Sequence, residues 1–295
     1  MFILAHLSDP HLAPLPEPRL AELASKRVLG YLHWRRTRVK IHRRERLDAL
    51  VRDLKAQTPD HLAVTGDLVN VATAAEFAQA RAWLAGLGDP YDVTLVPGNH
   101  DAYVRAALAM QAEYWPDYMR DDGANAPGFP FVRRRGPLAL IGLSTSVPTP
   151  PFMATGRLGS AQLARLDTLL AEHAGRCRVV LIHHPPRTRN SSRIKRLVDA
   201  DALLAVLRRR GAELLLHGHD HVHALERLEG PNGTIAALGV PSASAALPDS
   251  RHAAAYNLCR IDGDASDWRC TVVTRGFAPD GAIGELARRD LAGSA

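Results

Sequence analysis

The sequence predicts an α/β protein, because short apolar runs alternate with segments of helical spacing along most of its 295 residues. Runs such as Phe2–Leu7 and His61–Val64 have strand length and contain no Asp, Glu, Lys or Arg. A cluster of Asp, His or Asn directly follows five of the runs. The alternation predicts βαβ units with mostly parallel pairing and places the late strands in a second sheet. With no repeat and no convincing linker, residues 1–295 are expected to form a single domain.

The N-terminal half is predicted to alternate strands over 2–7, 61–64 and 93–96 with helices over 20–34, 43–55, 73–87 and 103–119. The helix over 43–55 carries Leu47, Leu50 and Leu54 on one face. Thr73 and Glu76 have the spacing of a capping box, which indicates where the next helix begins.

The C-terminal half is predicted to contain strands over 138–143, 179–182, 213–216, 233–238, 254–261 and 268–274, and helices over 160–173 and 200–209. The segment between 120 and 135 is rich in Gly and Pro and is predicted to be a loop.

Composition argues against a disordered, disulfide-rich or membrane-spanning protein. A content of 46% hydrophobic and 23% charged residues argues against intrinsic disorder. None of the three cysteines forms a CxxC pair, which fits a reducing compartment and small buried thiols. No apolar run approaches the ~20 residues that a membrane-spanning helix needs. A cleaved signal peptide would remove the polar cluster at Asp9, so we expect a mature N-terminus and a cytoplasmic protein.

A single basic segment carries the whole net charge of +6. Positions 33–46 contain one acid, Glu45, against seven basic residues: Arg35, Arg36, Arg38, Lys40, Arg43, Arg44 and Arg46. This segment forms part of an expected basic insertion or cap around residues 14–46. A solvated helix with a packed apolar face would explain it, as would contact with an anionic membrane or with nucleic acid.

Five polar clusters follow the predicted strands, and they are expected to meet in space. The clusters are Asp9-x-His11, Gly66-Asp67, Gly98-Asn99-His100-Asp101, His183-His184 and Gly218-His219-x-His221. Ligands of open α/β sheets bind in the crevice at the carboxyl ends of the strands. Carboxylates, imidazoles and a carboxamide suit Mn, Fe, Zn, Co or Ni, and seven or eight such donors suit two ions rather than one.

In this order, the five clusters resemble the motif set of the calcineurin-like metallophosphoesterases, over roughly residues 2–223. Within that superfamily, Leu7-Ser8-Asp9-Pro10-His11-Leu12 and His183-His184-Pro185-Pro186 are most similar to the bacterial class III cyclic-nucleotide phosphodiesterase branch. The resemblance implies a four-layer α/β/β/α sandwich with two mixed sheets flanked by helices. It also implies a centre of two divalent metal ions, with Mn, Fe and Zn all open.

The resemblance also implies roles for individual residues. The first metal would be held by Asp9, His11, Asp67 and His221, and the second by Asp67, Asn99, His183 and His219. Asp67 would therefore bridge the ions.

His100, with Asn99, would bind the substrate, and His100 would donate a proton to the leaving oxygen. Asp101 is expected to orient His100 or a ligand, whereas His184 and His217 are expected to be structural.

The expected reaction is hydrolysis of a small phosphodiester, such as a cyclic nucleotide, by a metal-bound hydroxide. One alternative is hydrolysis of a lipid-linked diphosphate such as UDP-diacylglucosamine, at the inner face of a membrane contacted through positions 35–46. Another is a nucleic-acid-binding protein or nuclease that uses the Arg-rich segment. No nucleic-acid motif accompanies that segment, so no stable nucleic-acid partner is expected, and an oligomer stays open.

Overall fold

Twelve strands form two six-stranded sheets in this computed structural model, which describes residues 1–187, 193–247, 249, 251–263 and 267–291. The strands are β1 (Phe2–Leu7), β2 (His61–Val64), β3 (Val93–Leu95), β4 (Phe131–Arg135), β5 (Leu138–Gly142), β6 (Cys177–Leu181), β7 (Leu214–His217), β8 (Ala224–Gly230), β9 (Gly233–Gly239), β10 (Ala255–Asp262), β11 (Arg269–Phe277) and β12 (Ile283–Leu291).

In the described part of the chain, eight α-helical segments connect or cover the sheets. They are α1 (Leu20–Leu23), α2 (Arg27–His33), α3 (Val39–Ile41), α4 (Arg44–Ala56), α5 (Ala74–Leu87), α6 (Ala107–Tyr114), α7 (Ser160–Glu172) and α8 (Ala200–Arg210). A π-helical turn, Trp34–Arg38, joins α2 to α3, and a 3₁₀ turn covers Pro116–Tyr118. The predicted capping box is present, since the Thr73 hydroxyl accepts from the Glu76 amide and starts α5. Among the described helices, none has both the length and the apolar character required to cross a bilayer.

Both sheets are mixed. The first has the order β12-β11-β10-β1-β2-β3, with β1, β2 and β3 parallel and the other neighbours antiparallel. The second has the order β4-β5-β6-β7-β9-β8, with β5, β6, β7 and β9 parallel and the two edge strands antiparallel. The parallel strands supply the common edge at which the polar clusters emerge.

The sheets lie face to face between two layers of helices. The larger core contains side chains from both sheets and from α4 and α5, and a second core joins the other face of the second sheet to α7 and α8. Strand β6 shows the division, because Val179 and Leu181 belong to the first core and Val180 to the second. This α/β/β/α layering agrees with the expected four-layer sandwich.

Residues 14–46, here called the cap segment, pass over the carboxyl end of the first sheet between β1 and α4. The buried Arg27 donates to the carbonyl oxygens of Val71 and Ala72, beyond β2. At its far end, the Arg43 amide donates to the Ser244 carbonyl and the Ala246 amide to the Ile41 carbonyl. The cap segment is therefore attached to the core on both sides of the polar clusters.

The sequence placed two of its three predicted late strands in the wrong sheet, whereas β9 does lie in the second sheet as expected. The second sheet begins in the middle of the chain at β4, and the last three strands, β10, β11 and β12, return to the first sheet beside β1. The predicted helix over 103–119 is also shorter, since only Ala107–Tyr114 is α-helical.

Candidate metal centre

The parallel strands bring the five polar clusters to one place. The first three clusters follow β1, β2 and β3 of the first sheet, and the last two follow β6 and β7 of the second. Hydrogen bonds between the loops tie the ends together: the Asp9 amide donates to the Gly66 carbonyl, and the Gly218 amide to the His183 carbonyl. Donor groups separated by more than 200 positions in the chain, such as Asp9 and His221, thus come within hydrogen-bond distance.

One set of donors surrounds a common point, as the ligands of a first metal would. The ligand atoms of Asp9, His11, Asp67 and His221 lie within 4.8 Å of one another. His221 Nε2 is 3.0 Å from Asp9 Oδ1 and 3.3 Å from His11 Nε2. Two carboxylates and two imidazoles are a suitable set for a divalent transition metal.

A second set of donors lies on the other side of Asp67. The Asn99 side-chain oxygen is 3.1 Å from His183 Nε2 and 3.0 Å from His219 Nδ1. Asp67 Oδ2 is 3.5 Å from His183 Nε2 and 3.7 Å from His11 Nε2, so this one oxygen faces both sets. The structure therefore brings together all seven residues that the sequence suggested as metal ligands, with Asp67 between the two groups.

In three of these histidines, one ring nitrogen is hydrogen-bonded to a backbone carbonyl, so the other nitrogen faces the centre. His11 Nδ1 donates to the Val69 carbonyl and His183 Nδ1 to the Thr65 carbonyl, which leaves Nε2 of each facing inward. His219 is reversed, because its Nε2 donates to the Lys195 carbonyl and its Nδ1 faces Asn99. Metal-binding histidines are usually oriented in this way by a bond from the other nitrogen.

Five of the seven candidate ligands have a left-handed backbone, which is uncommon outside glycine. Their φ angles are 53° at Asp9, 37° at His11, 56° at Asp67, 70° at His219 and 52° at His221. Such conformations persist where the surrounding structure imposes them, and they concentrate at functional sites.

Gly98 and Gly218 allow the loops to approach the donors closely. A Cβ atom at Gly98 would overlap the Asp67 carboxylate, and one at Gly218 would overlap the side chains of Ser8 and Asp9.

Buried side chains hydrogen-bond to the Asp67 loop and to the Asp9 carboxylate. Asp101 accepts from the backbone amides of Asp67, Leu68 and Gly98, at 2.8 to 2.9 Å. Asp101 thus orients the ligand loop rather than the His100 ring. The Ser8 hydroxyl donates to Asp9 Oδ2 at 2.6 Å, a contact that the sequence analysis did not single out.

The centre has the electrostatic character of a cation site. Burial lowers the pKa of His183, but the charges of Asp67 and Asp9 outweigh burial and raise it to about 10. Burial likewise opposes ionisation of Asp9, yet the His221 imidazole holds the pKa of Asp9 well below its usual range. The buried carboxylates therefore remain charged and attract positive charge, which a metal can supply.

His100 lies beside the centre and faces a cavity. Its backbone amide donates to Asp67 Oδ1 at 2.7 Å, and its Nδ1 donates to the Asn70 carbonyl at 2.6 Å. Its Nε2 accepts from the Arg38 guanidinium at 2.9 Å. Burial and the Arg38 charge lower the pKa of His100 to about 4.

Two further histidines, His184 and His42, pack against the rings of candidate ligands. His184 accepts from the Thr145 hydroxyl and donates to the Ala154 carbonyl, and its ring packs 4.2 Å from that of His219. His42 of the cap segment packs 4.5 Å from the His11 ring and is bonded to the Ser244 hydroxyl. Sequence reasoning missed His42, since it lies outside every motif.

His217, the last residue of β7, is buried and has its Nδ1 3.2 Å from the Gly218 carbonyl.

A cavity of about 300 Å³ opens over Asn99 and His100. Its walls come from the cap segment and from the loop that contains residues 149–154. Apolar and aromatic side chains line much of it, including Leu29, Trp34, Tyr103, Phe152 and Met153, and cations lie around it at Lys26, Arg38 and Lys195. A molecule bound to the metal centre can extend into this cavity.

The sequence matches the family model of the calcineurin-like phosphoesterases over residues 2–223. A relative from Synechococcus sp. with the name "Probable cyclic nucleotide phosphodiesterase" is 25% identical over 232 residues, which is 77% of this chain and 81% of the relative.

Two solved structures have the same fold at low identity. The purple acid phosphatase of yellow lupin (Lupinus luteus) aligns with a TM-score of 0.59 and 12% identity over 99% of this chain and 53% of its own. This chain thus spans about half the length of the lupin enzyme. The structure of PhoD aligns with a TM-score of 0.62 and 11% identity, over 99% of this chain and 69% of PhoD.

The family match covers all five polar clusters and most of the chain. The fold of the two sheets and the meeting of the clusters at one edge agree with it. The protein accordingly belongs to the calcineurin-like phosphoesterases, a family of metal-dependent hydrolases.

Proposed function

We propose that the protein is a phosphodiesterase with two divalent metal ions, acting on a small diester such as a cyclic nucleotide. The observation that carries this proposal is the arrangement of donors on both sides of Asp67, whose Oδ2 lies 3.5 Å from His183 and 3.7 Å from His11. One carboxylate with a full set of donors on each side is suited to a pair of ions rather than to one.

The chain's own residues then have distinct tasks. Asp9, His11, Asp67 and His221 would hold one ion, and Asp67, Asn99, His183 and His219 the other. When bound, two divalent cations supply a nucleophilic water at neutral pH and neutralise charge that develops on the phosphate. Asn99 and His100 lie on the cavity side of this centre, where they would contact the phosphate and the departing oxygen.

The relative from Synechococcus sp. supports a cyclic nucleotide as the substrate class. The cavity beside His100 supports a diester, since its aromatic and apolar wall can hold an ester group that a free phosphate lacks.

A substrate panel tests the proposal. Manganese-loaded protein would be given cyclic AMP, a bis-aryl phosphate, an aryl monophosphate and a UDP-linked acyl sugar. We expect the two diesters to be hydrolysed fastest and Asp67→Ala to lose bound metal and turnover together. Asp201→Asn, a change at an exposed position of α8, serves as the control and should retain both. Turnover by metal-free Asp67→Ala, or preference for the monoester, would refute the phosphodiesterase proposal.

Apolar side chains at the mouth of the cavity favour a second candidate, hydrolysis of a lipid-linked diphosphate. Leu29 of α2 and Phe152 of the facing loop line the cavity and are 41% and 84% exposed, and Leu32 of the same helix is 42% exposed. With the exposed Arg35 and Arg36 nearby in the chain, this rim could contact an anionic lipid surface.

Vesicle binding tests the second candidate. Sedimentation with anionic vesicles should decrease in a Phe152→Ser/Leu32→Ser variant if the substrate is lipid-linked, and the UDP-linked acyl sugar should then be the best substrate in the panel. Absence of vesicle binding by the unaltered protein would leave the small diester as the substrate.

A further inference from the structure

Arg38 is the residue of the basic segment that reaches into the metal centre. Its guanidinium donates at 2.9 Å to His100 Nε2 and at 2.9 Å to His11 Nε2. His11 is a candidate metal ligand, and His100 faces the substrate cavity. Arg35 and Arg36, its neighbours in the same turn, are exposed.

Among the described residues, no carboxylate is hydrogen-bonded to the guanidinium of Arg38. In the part of the chain that the structure describes, no Asp or Glu oxygen lies within 4.0 Å of its guanidinium, although Asp67 and Asp9 are near enough to act through space. A partly buried guanidinium usually has an anionic partner, since burial of an unpaired charge is costly. The guanidinium of Arg38 can therefore accept an anionic partner from a bound ligand.

The position of Arg38 is fixed by the way the cap segment packs. Trp34, four residues earlier, is buried against Leu15 and Val71. Gly30 packs so closely on Tyr103 that a Cβ atom there would overlap the tyrosine ring. Four residues after Arg38, His42 is bonded to Ser244. The guanidinium is thus held towards the centre before any ligand binds, which reduces the entropy lost on binding.

Metal binding at the first donor set would change the partners of Arg38. A metal ion at the first donor set needs the lone pair of His11 Nε2, which is the atom that accepts from Arg38 in this structure. The guanidinium would then lose one acceptor and face an additional positive charge. An anionic oxygen between the metals and Arg38 would replace the lost acceptor and offset the added positive charge. Phosphate oxygens match the planar fork of a guanidinium.

We propose that Arg38 is a substrate-binding residue that donates to a non-bridging phosphate oxygen and makes metal binding and phosphate binding mutually favourable. This inference rests on the proposed function, which places the phosphate on the metal centre. By linkage, phosphate tightens the binding of the metal by the same factor as the metal tightens the binding of phosphate.

The experiment measures binding of manganese and of inorganic phosphate, separately and together, by titration calorimetry and by electron paramagnetic resonance of free manganese. Arg38→Gln should weaken phosphate binding to the manganese-loaded protein by about tenfold to a hundredfold. Its manganese affinity without phosphate should be retained or increased, because a nearby positive charge is removed. Arg38→Lys should recover part of the phosphate affinity, since it keeps the charge but not the fork.

Arg36→Gln is the matched control, as it removes the same charge from an exposed position of the same turn. It should leave both affinities unchanged. Equal phosphate affinity in Arg38→Gln and the unaltered protein would refute the role of Arg38, as would a parallel loss of manganese, which indicates a structural effect.

The two proposals fail in different ways. If phosphate binding to the manganese-loaded protein depends on Arg38 but no diester is hydrolysed, the proposed activity is wrong and the anion-binding role stands. If diesters are hydrolysed and Arg38→Gln changes neither phosphate affinity nor KM, the inference on Arg38 alone is wrong.

Discussion

His100 is the site residue whose contribution can be separated from metal binding. Its ring packs edge-to-face on the His11 ring at 5.0 Å but makes no hydrogen bond to a candidate ligand, since Nδ1 is bonded to the Asn70 carbonyl and Nε2 to Arg38. Only its backbone amide contacts Asp67. Removing the His100 ring should therefore leave the hydrogen bonds of the candidate metal ligands intact.

His100→Ala is expected to keep the metal content of the unaltered protein and to slow hydrolysis by about 10²- to 10⁴-fold for poor leaving groups. Substrates with good leaving groups should be affected less, because their departing oxygen needs no proton. For poor leaving groups the His100 ring must be charged in the complex, where the negative charge of the bound phosphate raises its pKa from about 4. Elemental analysis and a series of aryl phosphodiesters of graded leaving-group pKa measure the two effects. An equal loss across the series would argue against proton donation by His100.

At the scale of elements, helix α2 determines where the cap segment lies on the core. Arg27, at its start, is bonded to two backbone carbonyls beyond β2, and Gly30, one turn later, contacts Tyr103 and Val71. The absence of a side chain at residue 30 lets the helix approach the loop that leads to the cavity. The same contact fixes the distance between Arg38 and the metal centre.

Gly30→Ala should lift the cap segment, because its Cβ would overlap the Tyr103 ring and press on Val71. We expect a loss of about 1–3 kcal/mol in unfolding free energy, faster hydrogen exchange over residues 27–41, and a higher KM. Gly86→Ala is the control, since a Cβ in that helix meets no atom within 4 Å and should stabilise the protein slightly. Unchanged exchange over 27–41 would show that the helix accommodates the methyl group.

At the scale of the whole molecule, a partly buried polar triad links the outer helix layer to the first sheet. Asp53 of α4 accepts from the Tyr256 hydroxyl of β10 at 2.6 Å and from Arg275 of β11 at 2.8 and 2.9 Å. The Arg275 hydrogen bonds hold the pKa of Asp53 below its usual range, although partial burial opposes this, and Tyr256 adds to the effect. The triad links elements that are about 200 residues apart in the chain.

Asp53→Asn should lower the unfolding free energy by about 1.5–3 kcal/mol at pH 7. A carboxylate with a lowered pKa in the folded state stabilises the protein above its unfolded-state pKa, and this contribution is lost as the pH falls through the folded-state value. The difference between variant and unaltered protein should therefore shrink below about pH 4. Urea unfolding at pH 7, 5 and 3 measures it.

Asp48→Asn on the same helix is the control, because its ion pair with Arg44 is more exposed and should contribute less than about 1 kcal/mol. A pH-independent effect of Asp53→Asn would show that packing, rather than ionisation, accounts for its contribution.

Three strands were missed in the sequence, each for a physical reason. Strand β4 reads as polar, yet its Arg133 is buried because several backbone carbonyls accept from its guanidinium. Strand β8 has two Glu and one Arg within seven residues, and its pairing with β9 provides the backbone bonds. Strand β12 consists largely of helix-forming residues, and its long antiparallel pairing with β11 overrides that preference.

The sequence by itself determined the chemistry of the centre, because the types and order of its donors are local properties. Asp9, Asp67 and Asn99 each follow an apolar strand, and parallel strands bring such positions to one edge. Tertiary structure alone decided which cation of the basic segment enters the site. The turn that contains Arg35, Arg36 and Arg38 has no distinguishing pattern, and only the packing of Trp34 and Gly30 on the core directs Arg38 inward.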